Sequence, residues 1–88
     1  MISEVSVITG IPVDELLGRS RVSRTVTARQ LYWKLLREKK KYGFHVMAAV
    51  CERNHSTIVN GIKRVNGLLE SGDKLAVEIW GKIKNIEP

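Results

Sequence analysis

The chain has 88 residues, with 15 lysines and arginines against nine acidic residues and a formal net charge of +6. That length fits one domain, residues 1–88, and excludes a nucleotide-hydrolysing unit with a core of its own, while 43% apolar residues exclude a disordered chain. A sequence pI near 9.8 points to a polyanionic partner (DNA, RNA or an anionic membrane surface) or else to a merely basic soluble protein.

Taken in chain order, Ser3 reads as the cap of a short first helix with Glu4 in its first turn and Ile2, Val5 and Ile8 pointing inward. No basic segment precedes these apolar residues and Glu4 interrupts them, so no signal peptide is expected. Gly10 stops this helix. Pro12 suits the first turn of a second short one, Val13 to Leu17, with Asp14 and Glu15 at its positive end and Gly18 closing it. Residues 19–26 alternate cations with small polar residues and carry no apolar stripe, which predicts a basic loop. Arg19, Arg21 and Arg24 can follow a phosphate backbone or enter a narrow minor groove; the alternative is a solvated linker. Thr27 suits the cap of the longest helix, Ala28 to about Lys41, with a buried stripe of Ala28, Leu31, Tyr32, Leu35 and Leu36. Arg29, Gln30, Trp33, Lys34 and Arg37 lie off that stripe, and Trp33 is either exposed or laid over the core edge. The charged run from Arg37 to Lys41 suits a solvated helix end.

Gly43 breaks the long helix. Phe44, Val46, Met47, Ala49 and Val50 then read as a short apolar helix, and Cys51 to Arg53 as a tight connection. Cys51 is the only cysteine, and His45 and His55 stand ten apart with no other soft ligand nearby, so neither a disulfide nor a metal or other cofactor is expected. Asn54 suits the N-cap of the next helix, on which Ile58, Ile62, Val65 and Leu69 mark one apolar face. At about 100° per residue, Ser56, Asn60, Lys63 and Gly67 fall opposite, with Thr57 and Arg64 on the flank. Two helices joined by a tight turn, the second polar on one side, form the helix-turn-helix pattern. Such a helix can bring short polar side chains to base edges in a DNA major groove and cations to phosphates. The alternative is an ordinary surface helix with a solvated basic face.

Ser71-Gly72-Asp73 marks a break, and Leu75, Ala76, Ile79, Trp80, Ile83 and Ile86 form a last amphipathic helix. Its wide face packs on the core or partly on another chain. The competing function is therefore a protein-interaction module, with a protein partner or a second copy docking through this helix or Trp33 and only loose DNA association. RNA is disfavoured because aromatic stacking platforms are absent. No enzyme is expected: His55 and Ser56 point about 100° apart on a helix, and no other catalytic constellation occurs. Nothing alternates with period two, so the class is all-α. No apolar run approaches the roughly 20 residues that span a bilayer, and a cytoplasmic, nucleoid-associated protein without a membrane partner is expected.

The stretch Arg53-Asn54-His55-Ser56-Thr57-Ile58-Val59 resembles the signature of the C-terminal DNA-binding domain of the DnaA replication initiators, typically Arg-Asp-His-Ser/Thr-Thr-Val. The upstream pattern Val5, Ile11, Val13, Glu15, Leu16 and Leu17, the basic loop, the Ala28-Arg29-Gln30 helix start and the Val46/Val50 spacing extend the likeness over residues 2 to 86. The resemblance implies a compact domain of about five to six helices, of the Trp-repressor or DnaA C-terminal kind. It implies sequence-specific binding of double-stranded DNA, in replication initiation or its regulation. Asn54, His55, Ser56 and Thr57 would contact bases or phosphates in the major groove, and Arg21 would enter the minor groove, with Arg24 as its alternative. Arg29, Gln30 and Arg37 match positions of the long helix that face DNA, and Phe44 stands where the family often has proline. Arg53 from the signature and Asn60 and Lys63 from the polar face complete the candidate interface. Departures are Asn54 for the family's aspartate, Thr27-Ala28 for Arg-Pro, and Cys51-Glu52 for the glycines before the signature. No Gly-x-x-x-x-Gly-Lys-Ser/Thr occurs, so no nucleotide is expected to bind this chain. The chain is then either a fragment of a longer initiator or a free-standing relative of the kind a phage or mobile element carries, and Met1 favours the second.

Overall fold

The long central segment organises the molecule. In a computed structural model that describes residues 1–88, the chain forms α1 (Ile2–Thr9), α2 (Val13–Leu17), α3 (Ser23–Lys40), α4 (Phe44–Cys51), α5 (His55–Ser71) and α6 (Lys74–Ile83). The all-α class and the six-helix architecture match the expectation. Helix α3 packs against every other helix. Its stripe Ala28, Leu31, Tyr32, Leu35 and Leu36 is buried. Around it lie Val5, Leu16, Met47, Ile58, Val65, Ile79 and Ile83, in one continuous core. Each fully buried Leu or Ile contributes roughly 1.5–3 kcal/mol over an exposed one.

Helix α3 begins at Ser23, five residues before the expected start at Ala28, with Val22 and not Thr27 in the cap position. Periodicity misses this turn because small polar residues fill its inner face: Thr25 and Thr27 are only 5% and 2% exposed. Only residues 19–22 remain as the basic loop. Arg24, now helical, donates from Nη2 to the carbonyl of Thr9 at 2.6 Å, placing a cation at the negative end of α1. In α1 itself Ser3 is inside the helix and Met1 occupies the cap. Thr9, not Ile8, turns inward, because its hydroxyl donates to the Val5 carbonyl at 2.7 Å and accepts from the Ile11 amide at 3.3 Å. Pro12 is the cap residue of α2, one position before the helix.

The helix-turn-helix forms as the spacing indicated. On α4 the buried residues are Met47 and Cys51, while Val46 and Val50 stay 46% and 52% exposed. Asn54 caps α5, its side chain accepting the Ser56 amide at 2.8 Å. Ile58, Ile62 and Val65 are buried as the wheel requires. Where α5 crosses α3, a Cβ on Gly61 would stand 2.6 Å from the Trp33 ring, so glycine is what lets the two helices approach. Trp33 is thereby settled as a core residue. Asp73 caps α6 by accepting the Ala76 amide at 3.1 Å. Ile86 lies beyond the end of α6 yet is buried, its amide donating to the Ile83 carbonyl at 3.0 Å. No helix is long and apolar enough to cross a membrane.

Candidate nucleic-acid interface

The turn between α4 and α5 sets how the second helix is presented. Glu52 adopts the left-handed conformation at φ 51°, and the Arg53 amide closes back on the Ala48 carbonyl at 3.0 Å. This is a helix ending that favours glycine, so Glu52 holds a strained position here. Cys51, just before it, is buried; burial pushes its thiol up, against the opposing pull of Arg53.

Arg53 does not project freely. Its guanidinium reaches back to the carbonyls of Leu17, at 3.0 Å, and Gly18. Arg29 grips the same segment from below, donating to the carbonyls of Glu15 (2.8 Å), Leu16 (2.9 Å) and Ser20 (3.0 Å). The Leu16 carbonyl lies at the end of the short helix α2 without an intrahelical partner, and the Glu15 carbonyl also accepts the Gly18 amide at 3.3 Å. Arg29 was expected to face DNA, and the structure corrects this: it is 6% exposed, its guanidinium turned wholly toward protein backbone. Burial, and secondarily the nearby Arg53, lowers its pKa. The two arginines root the loop that carries Arg19 and Arg21, both of which are exposed. Sequence periodicity showed Arg29 off the apolar stripe, but its carbonyl partners lie 9 to 14 residues away and leave no periodic trace.

At the start of α5, Ser56, Thr57, Asn60 and Lys63 are all exposed, next to the Asn54 cap. His55 is exposed too, but braced. Its ring meets Phe44 edge-on with centroids 5.7 Å apart, and His45 lies tilted beside it at 5.0 Å. The Arg37 guanidinium lies over the Phe44 ring, 3.8 Å from its centroid, and donates to the Tyr42 carbonyl at 2.9 Å. The fold thus brings Arg37, Phe44 and His55 together in one cluster and adds His45, which the sequence pattern did not single out for the interface. No three His, Cys, Asp or Glu side chains converge as a metal site would need. Gln30 reaches α5 as well, through Arg64, whose Nη1 donates to Gln30 Oε1 at 2.8 Å. Arg64 was visible as a flank residue; its partner on α3 was not.

Residues 1–65 match the model of the bacterial DnaA protein helix-turn-helix, from α1 into α5. The chain belongs to the bacterial DnaA helix-turn-helix family. Among curated DnaA proteins, the chromosomal replication initiator of Mycoplasma pneumoniae is 38% identical over 65 residues, covering 74% of this chain and 15% of that protein. That of Thermotoga maritima is 30% identical over 87 residues, covering 94% of this chain and 20% of that protein. This DnaA-like chain therefore spans a fifth or less of these relatives. No solved structure gives a significant match. Within the DnaA helix-turn-helix, α4 is the first helix of the motif and α5 the second, and α6 lies beyond the matched residues.

Proposed function

We propose that the chain binds double-stranded DNA sequence-specifically, with the first turns of α5 in the major groove and residues 19–22 reaching the neighbouring minor groove. The observation that carries this reading is α5 itself: Ser56, Thr57, Asn60 and Lys63 are exposed on one side, and the opposite side holds the helix rigidly on the core. Short polar side chains in the first turns suit base edges, and Lys63 further along suits a phosphate. Asn54, His55, Arg37 and Phe44 form the entry end of this surface, and Arg24 and Arg53 support it from the protein side. Arg21 is the minor-groove candidate, because it is exposed on a loop whose root Arg29 and Arg53 fix. The relatives are named chromosomal replication initiators, and we place this chain's DNA binding in replication initiation or its regulation.

Selection from a random duplex pool, followed by competition binding, tests the division of labour. Ser56→Ala or His55→Ala should weaken the selected site by about 1–3 kcal/mol and random DNA much less. Arg21→Ala should cost about 1–2 kcal/mol and relax preference at an A·T-rich flank only. Equal losses on every sequence would reduce these residues to phosphate contacts and contradict the proposal.

A further inference from the structure

Gln30 is held at two points. Its stem lies where α5 has no side chain: a Cβ on Gly61 would come within 3.1 Å of Gln30 Cγ. Its Oε1 accepts from Nη1 of Arg64 at 2.8 Å, and the same nitrogen reaches Thr27 Oγ1 at 3.4 Å. A guanidinium donates and never accepts. The amide facing it must turn its oxygen toward Arg64, and its Nε2 hydrogens then point away from Arg64. Arg64 follows Thr57 by two turns of α5 on the same flank, with Asn60 between them, and all three are exposed. The bridge therefore stands at the edge of the candidate interface.

We infer that Arg64 is a positioning residue that holds the Gln30 amide with its oxygen toward Arg64, so that its Nε2 donors are the part of the amide left without a protein partner and offered to DNA. The inference rests on the DNA-binding proposal above. An unrestrained glutamine reads adenine by accepting from N6 and donating to N7 together. With one lone pair of Oε1 taken by Arg64 and the amide's orientation fixed, Gln30 favours an acceptor on DNA: a phosphate oxygen, or the acceptor edge of guanine or thymine. Arg64 keeps its other donors exposed and adds its charge beside that contact.

The lock is tested first without DNA. In nitrogen-15 relaxation of the free chain, the Gln30 side-chain amide should be ordered, and Arg64→Met should make it mobile without lowering the melting temperature beyond a few degrees. An equally mobile amide in both overturns the inference. Competition binding to a selected duplex then tests its consequence. Gln30→Met and Arg64→Met are each expected to weaken binding by about tenfold, and the double variant by far less than the roughly hundredfold product, because each removes what the other serves. Losses that multiply overturn the inference. An ordered amide that depends on Arg64, in a chain that binds no duplex, supports the lock and overturns the DNA-binding proposal instead.

Discussion

Arg29 shows how far a single side chain's role depends on partners that no local pattern reveals. Off the apolar stripe of α3, an arginine in a basic protein reads as a phosphate ligand. In the fold its guanidinium saturates three backbone carbonyls around the end of α2. Hydrogen bonds to a charged group are worth about 1.5–3 kcal/mol each in context, and orphaned buried carbonyls add to the loss. Arg29→Met should therefore destabilise the fold by about 2–4 kcal/mol in urea unfolding, and Arg29→Lys should recover only part, since a point charge cannot serve several carbonyls at once. A surface phosphate ligand would leave stability unchanged. Tyr32 carries a second prediction. Burial, then Cys51 and Tyr42, raises its pKa from 10.0 to about 12. Because the folded-state value lies above the unfolded one, the stabilisation is full below pH 10 and is lost as pH rises from 10 toward about 12. The fall across that window should be at most about 2–3 kcal/mol and should disappear in Tyr32→Phe.

At the scale of elements, most of the fold could be read directly. The stripes of α3 and α5, the Asn54 cap, the break at Ser71-Gly72-Asp73 and the turn before Arg53 appear where spacing and cap chemistry put them. The first turn of α3 did not, because Thr25 and Thr27 bury polar side chains where a hydrophobic pattern has nothing to count. The crossing of α3 and α5 was also hidden: Gly61 falls between apolar positions and gives no sign that Trp33 fills its missing side chain. Gly61→Ala tests that crossing. In a helix interior the change alone would stabilise by roughly 0.5–1 kcal/mol. Against the rigid Trp33 ring, overpacking should prevail and leave a net loss of about 1–2 kcal/mol by thermal or chemical unfolding. A net gain would mean that the helices separate at little cost.

The molecule as a whole joins a small helical core to a strongly cationic exterior, with a net charge of +6 in a body of 30 × 26 × 26 Å. The charge and the polar face of α5 were legible from composition and from the wheel. The bracing around that face was not, since Arg37 over Phe44 and Arg64 on Gln30 join residues from separate helices. The fold commits Arg24, Arg29, Arg37 and Arg53 to backbone carbonyls, while Arg19, Arg21 and Lys63 are exposed without a protein hydrogen bond. Binding to a selected duplex, measured as affinity against salt concentration, tests the central claim most directly. With about five phosphates neutralised, the logarithm of affinity should fall against the logarithm of salt with a slope of about −4 to −5. The selected duplex should stay at least about a thousandfold tighter than a scrambled one at physiological salt. A slope near zero, or equal affinity for the two duplexes, would contradict sequence-specific DNA binding by this chain.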